Sequence, residues 1–266
     1  MHDSVENLGR TWTSIEALCA SLSEEQWKRP TALPGWSVQD NLSHLVDYES
    51  RALGRPGPDH TPPDLGHTRN AIGRSNEVGV DYRRRWTGEQ VLAEFREVTT
   101  ARLAQLRSLT DDDMARPVDT PAGPGTVADM LTLRVMDTWT HEQDIRTALR
   151  RPGHLEGPVV DQSLAHFTGF LPYLVGKRAG APDGARVVVE IAGHDPIAIE
   201  VVDRRARRTD TVPPDPDVTV RTDVATFAAL VNGRVDASDA GLDEHIEIIG
   251  DQLLGRAIVD NLTVMV

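Results

Sequence analysis

The feature that most restricts the fold of this chain is a change of hydrophobic period near residue 155. Before it, apolar residues recur at three- and four-residue steps, the period of one helix face. Val5, Leu8, Trp12, Ile15, Leu18, Cys19 and Leu22 mark a first helix from Asp3 to Leu22. A second begins after Pro34-Gly35-Trp36, where Ser37 stands three residues before Asp40 as an N-cap signature and Val38, Leu42, Leu45 and Val46 follow on one face. Thr87 with Gln90 forms a capping box for a third, which carries Val91, Leu92, Phe95, Val98, Leu103, Leu106 and Leu109. A fourth runs from about Thr126 to Arg150 and stops at Pro152-Gly153. Residues 54–68 and 117–126, rich in Pro and Gly, read as loops. Four long amphipathic helices joined by polar loops predict a four-helix bundle.

After residue 155 one more helix is expected, Val159 to Lys177, and the period then drops to two. Val187, Val189 and Ile191, then Ile197, Ile199 and Val201, predict two strands turning at Gly193-His194-Asp195. Val218 and Val220 suggest a third strand and Ile246 with Ile248 a fourth, with helices around Val224–Asn232 and Gln252–Leu262. The fold class is therefore α+β: a helical bundle over 1–153 and a smaller module over 154–266. With 266 residues, 39% of them apolar, each part can bury a core.

Net charge excludes some partners. The formal charge of −13 repels phosphate backbones and anionic lipid, so neither nucleic acid nor a membrane surface is an expected partner. No apolar run approaches the roughly 18 residues of a membrane span. The polar, acidic start of the chain lacks the layout of a secretory signal, and the single cysteine has no disulfide partner, so a cytoplasmic setting is expected. Nothing in the pattern specifies an oligomeric state.

Chemistry concentrates on two of the predicted helices. Asp137 and His141 are four residues apart and share one face of the fourth helix, among Leu133, Val135, Met136 and Ile145. A carboxylate and an imidazole so placed either share a hydrogen bond or grip a cation. Asp144, one turn on, is positioned to accept the free ring N–H of a ligating histidine. His44 stands among Leu42, Leu45 and Val46 and is either a satisfied core residue or a ligand aimed into the bundle. Bundles build metal sites from facing helices, which favours reading the three together. Cys19 lies on the apolar stripe of the first helix and reads as core. His2, His60, His67, His154, His166, His194 and His245 lack ligand-like spacing and read as surface residues, as does the RRARR run (204–208), the exposed arm of a hairpin.

Two segments carry a resemblance. LPGWSVQDNLSHLVDYE (33–49) and VMDTWTHEQDIRTALRRPG (135–153) resemble the metal motifs of the mycothiol-dependent maleylpyruvate isomerase family, whose N-terminal domain is a DinB-like four-helix bundle. The stretch from about Phe227 to Leu262, with IEIIGDQLLGRAIVDNL, is similar to the sterol-carrier-like C-terminal domain of those proteins. The resemblance implies His44, Asp137 and His141 as ligands of zinc or another divalent metal, mycothiol as thiol cosubstrate, and Arg74 as the active-site arginine. Arg221 is a weaker candidate for that last role. Asp137 departs from the glutamate of the isomerase motif; a shorter carboxylate still ligates, so the departure bears on the reaction more than on the metal.

Three protein ligands leave a position open, the pattern of a catalytic metal. The implied function is an enzyme that activates a low-molecular-weight thiol for attack on an electrophilic small molecule. It would act as an isomerase if the thiol leaves again and as an S-transferase if it stays. The alternatives are a non-catalytic carrier of a small molecule or lipid, and a metal-dependent hydrolase.

Overall fold

The computed structural model describes residues 3–63, 66–68, 70–239 and 241–264. The chain divides into two compact units, Met1–Ser163 and Leu164–Val266. Each is described by itself.

The first unit is helical. Its long helices are α1 (Asp3–Cys19), α3 (Val38–Ala52), α5 (Gly88–Arg107) and α7 (Val127–Leu149), with α2 (Glu24–Trp27), α4 (Ala71–Arg83) and α6 (Asp111–Ala115) between them. The capping boxes at Ser37/Asp40 and Thr87/Gln90 form as the sequence suggests, and another opens α7 at Thr126/Asp129. In each, the hydroxyl of the cap accepts an amide N–H that has no partner inside the helix. Helix α7 is capped by Arg150, held in the left-handed region at φ 55°, two residues before Pro152.

Helix α3 sits at the centre of this unit, packed against α4, α5 and α7, while α1 packs on α5 and α7. Its apolar face (Val38, Leu42, Leu45, Val46) is fully buried with Phe95, Val98, Trp139 and Ile145. Such dense packing leaves little room for adjustment. Gly79 of α4 shows this: a Cβ there would fall 2.0 Å from Cγ of Asp47 on α3.

Three expectations are corrected. Helix α4 was not foreseen; it adds a fifth substantial helix beside the four. Residues 117–126 are not a plain loop but a hairpin, β1 (Pro117–Thr120) with β2 (Gly123–Thr126). The helix expected from Val159 to Lys177 is interrupted: α8 (Pro158–Thr168) ends before Gly169, and α9 (Leu171–Tyr173) runs into one π turn, Leu174–Arg178. Glycine and proline so close together (Gly169, Pro172) break the hydrogen-bond ladder there.

The second unit contains a five-stranded sheet in the order β5-β4-β3-β6-β7, formed by β3 (Arg186–Ile191), β4 (Ile197–Val202), β5 (Arg205–Thr209), β6 (Val218–Thr222) and β7 (Ile246–Gly250). Only the β3/β6 pair is parallel, with Val187 opposite Val218 and Val189 opposite Val220. Helices α10 (Val224–Val231) and α11 (Gln252–Asp260) complete the unit. The RRARR arm is the edge strand β5, with Arg205, Arg207 and Arg208 exposed; charged side chains on an edge discourage pairing with another chain. No described helix is long and apolar enough to cross a membrane.

Candidate metal centre

Three ligand-type side chains converge where α3 meets α7. His44 comes from the buried face of α3, and Asp137 and His141 from adjacent turns of α7. One ligand atom of each lies within 4.8 Å of the others. His44 Nε2 is 3.5 Å from Asp137 Oδ2, and His141 Nε2 is 3.6 Å from Asp137 Oδ1. The two imidazole centroids are 4.7 Å apart. A four-coordinate cation with bonds of about 2.0–2.1 Å holds neighbouring ligand atoms roughly 3.3 Å apart, so the spacing fits a metal with little adjustment.

Two of the three donors, His44 and Asp137, are held toward the forms a cation needs. Asn41 Nδ2 donates to the Ser37 carbonyl at 3.0 Å, which leaves its Oδ1 as an acceptor for His141 Nδ1 at 2.8 Å. Nδ1 of His141 thus donates to Asn41, and Nε2 is the ring nitrogen that faces Asp137 and would be left to a cation. Asp144, expected to take this N–H, is farther away, with Oδ2 3.5 Å from the same nitrogen. Burial holds the His44 pKa below the ordinary value, although Asp137 opposes it. Burial would raise the Asp137 carboxyl, but Arg134 and then His141 outweigh it and hold it well below the usual carboxylate range. Burial would also lower His141, and the Asp137 and Asp144 carboxylates reverse that and raise it. A neutral His44 and an ionised Asp137 are the forms that bind a cation.

Trp36 forms one wall of the cluster. Its ring lies 5.4 Å from His44 and is stacked 5.7 Å from His141. The indole Nε1–H donates to Glu77 of α4, whose carboxylate also meets His67 Nε2 at 2.7 Å and Arg84 Nη1 at 3.3 Å. Gly35 makes room for this assembly: it adopts φ 79°, and a Cβ there would fall 2.7 Å from the His67 ring. His67 is thus part of the scaffold behind the triad rather than a surface residue. His60 is likewise paired, at 2.6 Å from Asp81, and His154 meets the buried Glu142 at 2.7 Å. Only tertiary packing reveals these pairs, because no two partners share a helical spacing.

Arg74 is exposed on the first turn of α4, one turn before Glu77. The arginine that touches the triad is Arg134, which donates through Nη1 to Asp137 Oδ2. It lies three residues before Asp137 on α7, a spacing that could have flagged it. Arg221 bridges Glu190 and Glu247 on the sheet. Cys19 is buried, in line with the core reading.

The fold and site define a class: a helical bundle that gathers two histidines and an aspartate between facing helices, followed by a small α+β unit. The family model described as the mycothiol maleylpyruvate isomerase N-terminal domain matches residues 8–146, and the C-terminal domain model of the same family matches 161–256. The chain belongs to this family. Its structure resembles that of the mycothiol-dependent maleylpyruvate isomerase with a TM-score of 0.52 at 15% identity, over 92% of this chain and 91% of the other. A histidine-to-alanine mutant of that enzyme gives 0.53 at 14% identity over the same shares. At such identities the likeness establishes the fold alone. An uncharacterised protein of Mycobacterium tuberculosis is 28% identical over 137 residues, which is 51% of this chain and 52% of that protein. The match thus spans about half the length of these relatives.

Proposed function

We propose that the chain is a metal-dependent enzyme that uses mycothiol as a nucleophile against an electrophilic small molecule, either isomerising it or retaining the thiol as an S-conjugate. The observation that carries the proposal is the convergence of His44, Asp137 and His141, two neutral-capable imidazoles and an ionised carboxylate at metal-ligand spacing. A divalent cation such as zinc, bound by these three, would supply stabilisation of a thiolate at neutral pH.

The protein's own residues prepare that chemistry. Asn41 engages Nδ1 of His141 and so orients the ring with Nε2 toward the other two donors. The Trp36 indole lies against both imidazole rings and limits the side from which a ligand could approach them. Arg74 is proposed to hold a substrate carboxylate, for which a guanidinium offers two parallel hydrogen bonds. Its exposure on α4 leaves it accessible. The fold-level likeness and the family to which the chain belongs support a maleylpyruvate-like substrate, a cis-enone acid, as the first to try. A cytoplasmic pool of reduced thiol is the setting this reading requires.

The test is an assay of zinc-loaded protein with mycothiol against a panel of electrophiles that includes cis-enone acids. Saturable turnover that ceases without the thiol supports the proposal. Recovery of free thiol with an isomerised product identifies an isomerase, and an S-conjugate identifies a transferase. Turnover that proceeds without any thiol identifies a hydrolase and overturns the proposal; absence of both bound metal and turnover points to a carrier.

A further inference from the structure

Arg134 is one of two buried arginines among the described residues, 5% exposed, and its guanidinium is divided between two carboxylates. Nε and Nη2 both donate to Oε1 of Glu49, at 3.0 and 2.9 Å, and Nη1 donates to Oδ2 of Asp137. The plane is fixed from a third side by the Tyr48 ring, whose centroid lies 3.6 Å from Cζ. Glu49 is anchored in turn by Arg102 of α5, which donates to its Oε2 at 3.2 Å. A chain of alternating charge thus runs Arg102–Glu49–Arg134–Asp137, from α5 through α3 to α7.

This chain treats the two oxygens of Asp137 differently. Each oxygen faces one imidazole, Oδ2 at 3.5 Å from His44 Nε2 and Oδ1 at 3.6 Å from His141 Nε2, but Oδ2 alone of the two also carries the Arg134 bond. An aspartate free to offer both oxygens would, with two imidazoles, fill four positions around a cation. An aspartate with one oxygen engaged by an arginine offers the other and leaves a fourth position for an incoming ligand. We infer that Arg134 is a positioning residue that restricts Asp137 to one ligating oxygen and so keeps a coordination position open for the thiol. The inference rests on the metal-and-thiol reading above and concerns a residue that reading does not use. Glu49 and Tyr48 hold the guanidinium, so the restriction is set by helix packing before any metal binds.

Cobalt(II) serves as the probe, because a thiolate bound to it gives a near-ultraviolet sulfur-to-metal charge-transfer band that reports thiol binding without turnover. Metal-free wild type, Arg134→Met and Arg134→Lys are each loaded with cobalt and titrated with mycothiol. The expected result is one cobalt per chain in all three, with thiol affinity reduced about tenfold or more in Arg134→Met, within the range typical of residues behind a ligand. Arg134→Lys, which keeps the charge and reaches one carboxylate, recovers part of the loss. A purely structural role would lower thermal stability and leave the thiol titration of the loaded protein unchanged, and that result overturns the inference. Should Arg134→Met not fold, Arg134→Lys carries the test alone: wild-type thiol affinity in it overturns the inference, and weakened affinity at full cobalt occupancy supports it. Failure of the wild type to bind cobalt, or to show the thiolate band, instead overturns the functional reading on which the inference stands.

Discussion

The two units bury different things. In the second, the described buried polar side chains are Thr168, Thr219, Thr222, Thr226 and Asn232, and none is ionisable. Its charges lie outside, as in the Glu190–Arg221–Glu247 ladder across exposed faces of the sheet. The helical unit buries Asp40, His44, Asp47, Glu49, Glu77, Arg83, Arg134, His141, Glu142 and Asp144. Removing a charge from water costs several kcal/mol per ion, by rough reckoning, before any partner compensates. The second unit builds its apolar core without that expense. The ionisable interior of the first unit is therefore where function is to be sought, and the triad lies within it.

The sharpest way to break this contrast is to remove one charge from each unit. Glu49→Ala leaves both Arg134 and Arg102 without their shared carboxylate, and a loss of about 3–5 kcal/mol is expected in urea unfolding monitored on the helical unit. Glu190→Ala on the exposed ladder should leave the midpoint unmoved. Equal effects would erase the distinction. Next in size is Gly79→Ala, which drives a Cβ into the Asp47 carboxylate and is expected to cost about 1–3 kcal/mol in the same measurement, through overpacking between α3 and α4.

A third prediction concerns the buried thiol and carries the smallest effect at neutral pH. Burial, with the Glu142 carboxylate adding to it, pushes the Cys19 thiol from an ordinary 9.0 up to about 12. The folded state thus favours the protonated thiol, so this contribution to stability is full below pH 9.0 and is lost as pH rises toward 12. At pH 8 a thiol-specific chromogenic disulfide should modify Cys19 only on unfolding. Rapid reaction of the native protein would show that the helical interior is open there.

Much of the fold was legible because its signals are local. Ser37 and Thr87 announce their helices through side chains three residues on, and the alternation Val187, Val189, Ile191 needs no tertiary information. Helix α4 escaped because its buried face is Glu77, Gly79, Val80 and Arg83, which carries no apolar period to detect. The hairpin at 117–126 escaped because proline and glycine occupy strand positions that read as loop. In the site, the i,i+4 spacing exposed Asp137 and His141, and the apolar setting exposed His44. Arg134 was overlooked because arginine at i−3 is common on helix surfaces and only packing shows that this one is enclosed. The roles of Asn41, Trp36 and His67 depend on α3, α4 and the preceding turns meeting in space, which no spacing along the chain encodes.

The central claim is that His44, Asp137 and His141 bind one metal ion between α3 and α7. Calorimetric titration of zinc into the metal-free protein tests it most directly, with His44→Ala run alongside and near-ultraviolet circular dichroism confirming that both are folded. The account predicts one equivalent bound by the wild type and a weakening of more than about 100-fold in the variant, beyond what loss of a residue behind a ligand produces. A folded wild type that takes up no zinc, or a variant that binds it equally well, would contradict the account.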